Sequence, residues 1–289
     1  MAAGVSDPSL RHRRREQGLM FLLASPALVV VLALVVVPVG WLMGQSVFDH
    51  GFTLENYRRI FVEPIYWRSF SLTFRFAFEV TVLALLLGYP VAYVATAVGR
   101  PWDILIMSLV ILPFWTSVLV RAYAWLVLLQ RTGVVNHLLA DLGLIDEPLA
   151  LVHNELGTVI ATVHILLPFM VLPLYSAMQK IPRDLLQASA SLGCGPWPTF
   201  VRVFLPLSLP GVLAGLTLVF VLALGFYITP ELLGGGRTIM VSMVVSRNVE
   251  LYDQWGAASA VGVILLACVL AIFVVVGRAL PLDRVLGHR

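Results

Sequence analysis

The sequence predicts an all-α integral membrane protein with six transmembrane helices. Three observations carry this. The chain is 60% hydrophobic over 289 residues and only 12% charged, against about 25% charged in a soluble domain. Its mean hydropathy is +0.93. Six apolar segments also reach the roughly 20 residues needed to cross a hydrocarbon core.

The first span is expected over Leu19–Met43, behind a basic run "RHRRREQG". That beginning looks like a signal peptide, but the apolar run is longer than the 7–15 or so residues of such a leader. A retained helix is therefore expected. The other spans are expected over Phe70–Val98, Ile104–Leu129, Leu156–Met178, Leu209–Thr229 and Ala257–Gly277. Pro90, Pro113 and Pro168 fall inside them. Bundled membrane helices tolerate proline where neighbours satisfy the freed carbonyls.

Basic residues set the orientation. With the N-terminus inside, Arg11, Arg13, Arg14, Arg15, Arg100, Lys180, Arg183, Arg202, Arg278, Arg284 and Arg289 are cytoplasmic. Arg58, Arg59, Arg68, Arg131, Arg237 and Arg247 are outside. Both termini are thus expected inside. The expected layout is a tail over 1–18, a first helix and outer loop over 19–69, a five-helix core over 70–278, and a tail over 279–289.

Composition excludes several functions. A net charge of +3, dispersed over short loops, does not make a nucleic-acid groove. Two cysteines, Cys194 and Cys268, form neither a metal motif nor a disulfide framework. His137, His153 and His164 lack metal-ligand spacing, so no metal is expected. No catalytic site is defensible. A Walker A motif needs a Gly-Lys-Ser/Thr end, and the single lysine, Lys180, follows Gln179. ATP is therefore not bound by this chain. The Gly234–Gly236 run reads as a flexible turn in an outer loop, or as a contact for an external protein.

The longest inner loop, over 179–208, reads as two short helices. In "IPRDLLQASASLG", Pro182 stands early, Asp184 lies in the first turn and Gly193 ends the helix, the asymmetry of an isolated helix. In "WPTFVRVFLP", Trp197, Phe200, Val201 and Phe204 form one helical stripe, and Pro206 is expected to stop it. The plain reading is an amphipathic turn on lipid. The sharper one is a docking knob.

This loop resembles the EAA loop of permease subunits of ABC importers with the type I fold. Gln187-Ala188-Ser189 is followed by three residues, Gly193, nine residues, and Val203-Phe204-Leu205-Pro206, which keeps the family spacing throughout. Gln187 replaces the family Glu, and Ser189 replaces the second Ala. The segments "LVRAYAWLVLLQRTGVVNHLLADLGL", "LLPFMVLPLYSAMQKIPRDLLQASASLG" and "YITPELLGGGRTIMVSMVV" resemble the polyamine (spermidine/putrescine) branch. Related branches carry iron, phosphonates or amino-acid derivatives. The resemblance implies a place in the plasma (inner) membrane of a bacterium, a cytosolic ABC ATPase dimer that binds ATP and Mg, a second, related permease chain, and an extracellular or periplasmic binding protein. It implies that Asp184, Gln187, Ala188, Ser189, Gly193, Leu205 and Pro206 form the coupling element. A rival class is a secondary transporter driven by an ion gradient, in which paired broken helices are common. No paired halves are visible in the sequence.

Glu79 lies within the second span, with Arg75 four residues before it on the same face. A charge in a span is a functional hypothesis by default. Counted from a start near Phe70, Glu79 sits a third to halfway across the bilayer. One reading is a neutral structural pair; the other frees Glu79 for a cation while Arg75 reaches the headgroups. Trp115, Tyr123 and Glu231 complete the candidate pathway: Trp115 and Tyr123 read either as an aromatic wall for a cation or as part of the interfacial belt, and Glu231 either as an entrance residue or as a solvated one. Arg121 lies near the outer end of the third span, and Trp125 is expected in the interfacial aromatic belt.

Overall fold

The computed structural model describes residues 8–48 and 51–279. Most of the C-terminal tail expected over 279–289, with Arg284 and Arg289, lies outside the described residues. The chain folds into helices α1 (Pro8–Gln45), α2 (Glu55–Val62), α3 (Pro64–Ala97), α4 (Trp102–Ile111) and α5 (Val118–Leu128). These are followed by α6 (Val134–Asp141), α7 (Glu155–Gln179), α8 (Arg183–Ser191) and α9 (Pro196–Thr199). The rest are α10 (Leu205–Leu224), α11 (Ile228–Leu233), α12 (Val241–Glu250) and α13 (Trp255–Ala279).

Helices α3, α7 and α10 form the centre. Small residues let them approach. A methyl group on Gly211 would lie 2.6 Å from Ala177 Cβ, and one on Gly215 would lie 2.7 Å from Met170 Sδ. Gly88 faces the same Met170 from α3. Close backbone approach is the usual source of packing energy between membrane helices. Contacts of Gly88 with Met170 and of Arg75 with Glu155 set α3 parallel to α7. The Gly211–Ala177 and Gly215–Met170 contacts set α10 antiparallel to both. Phe76, Val80, Met170, Leu174 and Val219 fill the interior. Polar ties reinforce it: Tyr89 Oη lies 2.9 Å from Ser208 Oγ between α3 and α10.

Around this centre, α13 packs on α12 and α1. Trp41 of α1 meets Trp255 with ring centroids 6.5 Å apart. The apolar window of α1 buries 0% of its residues within the chain, as suits a helix clad in lipid or protein. The amide of Val241, at the start of α12, donates to Thr73 Oγ1 at 2.9 Å. This gives α12 a cap from α3.

Among the described residues, five helical stretches are long and apolar enough to cross a membrane: Leu22–Gln45, Pro64–Ala97, Glu155–Gln179, Pro196–Leu224 and Trp255–Val274. The third expected span departs from this. Instead of one helix over Ile104–Leu129, α4 and α5 meet at a 100° bend across a 3₁₀ turn, Leu112–Trp115. Pro90 and Pro168 stay inside continuous helices, but Pro113 lies in the break. There the Thr116 hydroxyl donates to the Pro113 carbonyl at 2.7 Å. A hydroxyl satisfying a local carbonyl offers the chain an alternative to the helical bond. The fifth span also moves: α10 ends at Leu224, and Thr229 lies in α11.

The Gly234–Gly236 turn is packed at two of its three glycines: Gly234 is buried, Gly235 abuts a neighbouring loop, and Gly236 is open. A methyl group on Gly235 would come within 2.4 Å of His153 Cβ. Gly235 therefore sets this turn against the loop that holds His153, which the flexible-turn reading did not include.

Candidate functional site

The 179–208 loop closes one end of the bundle, called here the loop end. Helix α8 ends in a Schellman motif. The Gly193 amide bonds the Ala190 carbonyl at 2.9 Å, and the Cys194 amide bonds Ser189 at 3.1 Å. Gly193 has φ +81°, with nothing within 4 Å of an added methyl group. The position demands glycine through its left-handed backbone, not through crowding.

The second loop helix does not stop at Pro206. A π turn, Phe200–Phe204, joins α9 to α10, and the Leu205 amide bonds Phe200 five residues back. The wider turn accommodates the proline ring that an α-turn would press against the preceding carbonyl. Half of the aromatic stripe faces inward. Phe204 is buried, and Tyr93 of α3 meets Phe200 and Phe204 edge-on at 5.4 and 5.0 Å. Trp197 stacks on Phe200 at 5.9 Å but stays 72% exposed.

The candidate coupling residues divide by exposure. Asp184, Gln187, Ala188, Gly193 and Pro206 are exposed, and Leu205 is half-buried. Ser189 is buried, and its hydroxyl lies 2.9 Å from Thr199 Oγ1. Ser189 thus ties α8 to α9 and does not present itself to a partner. Leu192, 85% exposed, and Leu185 add apolar surface beside Trp197. Between this knob and the ends of α3, α4 and α7 lies a cavity of about 660 Å³, lined in part by Tyr93, Arg100, Gln179, Arg183 and Gln187.

The candidate pathway residues do not gather into one pocket. Glu79 lies near the end of the bundle opposite the loop. Trp115, at the α4–α5 bend, is 85% exposed, and Tyr123 is 51% exposed. Glu231 is exposed in α11.

Around Glu79 the structure adds a residue that sequence spacing does not indicate. Arg75 Nη2 donates to both carboxylate oxygens of Glu155. Its Nε lies 3.6 Å from Glu79 Oε1. Arg75 is therefore held by α7 rather than released to headgroups. The contact also sets the level of Glu79 relative to α7. Glu155 opens α7, so Arg75 is level with that helix end, and Glu79 is one turn, about 6 Å, below it. Helix α3 starts at Pro64, not near Phe70, so its first turns project past α7. Asn154 caps α7 by accepting from the Gly157 amide at 2.9 Å, and an acid in the first turn suits the helix dipole.

Trp125 is not a free belt residue. Its indole N–H donates to His164 Nδ1 at 3.1 Å, tying α5 to α7. An indole placed among apolar side chains needs such an acceptor. Arg121 is buried, and its Nε and Nη1 have no partner among the described residues.

Residues 84–281 match the family model described as binding-protein-dependent transport system inner membrane component. Over 224 residues the chain is 36% identical to the spermidine/putrescine transport system permease protein PotB of Haemophilus influenzae, covering 76% of this chain and 77% of the relative. PotB of Escherichia coli is 35% identical over 73% of this chain and 77% of its own length. The inner membrane ABC transporter permease protein YdcU of Escherichia coli is 37% identical, over 76% and 74%. Among solved structures, a bacterial ABC transporter that imports the acidic polysaccharide alginate superposes with TM-score 0.69 at 17% identity, covering 94% of this chain and 98% of that one. The alginate transporter bound to its pentasaccharide-loaded periplasmic protein gives TM-score 0.72 at 19% identity, over 91% and 94%. At such identity these two show the fold alone, that of an ABC importer permease. Family match and relatives together settle the assignment: the chain belongs to the inner membrane components of binding-protein-dependent transport systems, as a multi-pass permease subunit.

Proposed function

We propose that this permease imports a small organic cation of the polyamine class and is driven by a cytosolic ABC ATPase dimer docked on the 179–208 loop. The observation that carries the coupling role is the shape of that loop. A rigid Schellman-capped helix presents Asp184, Gln187, Ala188 and Gly193 beside the exposed apolar Leu185, Leu192 and Trp197. Ser189 ties α8 to α9, Phe200 and Phe204 seat the knob on Tyr93 of α3, and the chain runs on through Leu205 and Pro206 into α10, so a push on α8 is passed through α9 into α10. ATP and Mg bind in the ATPase subunits, and hydrolysis takes place there. A second, related permease chain supplies the other half of the pathway, and a periplasmic binding protein delivers the substrate.

In this reading the loop end is cytoplasmic, as are both termini, and the Glu155 end of α7 faces outward. The polyamine assignment draws on the PotB relatives and on Glu79, a carboxylate 41% exposed near the outward end. Glu79 is the first anionic station for the substrate. Trp115 and Tyr123 offer aromatic faces to a cation farther along, and Glu231 lies at the entrance.

The test is copurification. A tagged chain expressed with the products of its neighbouring genes should bring down an ATPase, and spermidine-loaded binding protein should stimulate ATP hydrolysis. A pure, transport-competent chain without an ATPase would overturn the assignment. Orientation is checked in a background with Cys194→Ser and Cys268→Ala. Cysteines at the exposed positions Arg58 and Glu250 should react with an impermeant thiol reagent in cells with a permeabilised outer membrane, and one at Arg183 should not.

A further inference from the structure

Arg75 stands between two carboxylates and is shared unequally. It donates to both oxygens of Glu155, whereas its approach to Glu79, at 3.6 Å, is too long for a hydrogen bond. Local sequence favours neither outcome strongly. On a helix, a cation preceding an acid by four residues is the weaker of the two orders. Glu155 has two advantages. It opens α7, where the dipole favours negative charge, and the Asn154 cap fixes that turn. The three side chains together carry one net negative charge, and the unequal sharing leaves it on Glu79. Among the described residues Glu79 accepts no hydrogen bond.

We propose that Glu155 is a positioning residue of the transport site: by holding Arg75 on α7 it keeps Glu79 only partly compensated, at ion-pair distance from Arg75 but without its hydrogen bonds, and open to a cationic substrate. This rests on Glu79 being the outward cation station. Without Glu155, the long Arg75 side chain closes the gap to Glu79. The arriving ammonium group must then displace a tethered guanidinium. The binding protein sets the affinity seen from the medium, so the loss falls on the maximal rate and leaves KM unchanged.

The experiment measures radiolabelled spermidine uptake in cells that carry the complete importer and no other polyamine uptake system. Rates are normalised to copurified, assembled complex. Glu79→Gln is the reference for loss of the station, about tenfold in rate for one full charge contact. Glu155→Gln should lower the rate by a similar factor at unchanged KM. The double variant Arg75→Gln/Glu155→Gln restores one net negative charge on Glu79 and should recover the rate to within about twofold of the parent. A purely structural Glu155 cannot produce that recovery. An assembled Glu155→Gln complex with parental rate, or a double variant no better than Glu155→Gln, would overturn the proposal. Should Glu155→Gln fail to assemble, Arg75→Gln decides: a parental rate supports the proposal, and a loss equal to that of Glu79→Gln overturns it. Parental uptake by Glu79→Gln removes the cation station itself, a result distinct from either failure of Glu155.

Discussion

The α8–α9 knob and the opposite rim hold their polar groups by different means. Within the knob the bonds are local, and the long-range tie of Tyr89 to Ser208 lies beneath it, between α3 and α10. The Schellman turn of α8 spans Ser189 to Cys194, and the Ser189–Thr199 tie crosses ten residues. At the rim the decisive bond joins Arg75 to Glu155, 80 residues apart. A locally bonded element keeps its shape when the bundle shifts, which suits a knob that must transmit a push. A bond between two helices is set by their relative position and can change when they move. The rim is therefore a place where a conformational change could alter charge, and the α8–α9 knob is not.

The sharpest way to break this comparison is at Gly193. Gly193→Arg must adopt φ +81°, which costs an L-residue about 1–2 kcal/mol, and it puts a long cation on the docking face. We expect loss of transport and of substrate-stimulated ATPase activity in a chain that still inserts. Gly193→Asn sharpens the result, because asparagine tolerates the left-handed region. It should keep most activity. Normal coupling in Gly193→Arg would remove the loop from the coupling role.

The rim gives the next effect. Glu79→Gln keeps the shape, removes the charge, and should lower uptake about tenfold with assembly intact. Arg75→Gln should leave the rate near parental and cost little in folding, because an exposed ion pair contributes about 1 kcal/mol or less. Equal loss of assembly in both variants would mark the group as a structural pair.

These outcomes bear on what could be read from the residues. Helix α7 spans Glu155–Gln179, within a residue of the expected Leu156–Met178, because its ends are marked locally by the Asn154 cap and polar flanks. The loop spacing and its Gly193 terminus were equally legible, being backbone chemistry within a few residues. The α4–α5 bend was not. Pro113 is the same residue type as Pro90 and Pro168, and the difference lies in the Thr116 hydroxyl and in what packs around the break. Glu155 and the Trp125–His164 bond were missed for one reason. Each needs a partner on another helix, and nothing near it in the chain announces one.

A smaller effect is expected inside the knob. Thr199→Val leaves the buried Ser189 hydroxyl without its 2.9 Å partner, at a cost of about 1–3 kcal/mol. Thermal stability of the detergent-purified complex should fall by a few degrees. Ser189→Ala removes the hydroxyl along with its need for a partner, and it restores the letter of the EAA pattern, so its fall should be smaller. A larger fall for Ser189→Ala would mean that the tie does more than fill a buried polar position.

The smallest effect belongs to Gln187. This residue is exposed on α8, four positions after Arg183, and on a helix those two side chains share a face. Gln187→Glu restores the charge of the EAA pattern. Its electrostatic gain with Arg183 is limited to about 0.2–0.5 kcal/mol, because both groups are solvated. If docking is governed by the shape of the capped helix, substrate-stimulated ATPase activity should change by less than about twofold. Salt dependence provides the finer check. A charge that entered the ATPase contact would make coupling fall more steeply with ionic strength in Gln187→Glu than in the parent, since exposed pairs are screened over about 10 Å at 0.1 M salt. Parallel salt profiles are the expected result, and diverging ones would show that position 187 touches a cation on the partner.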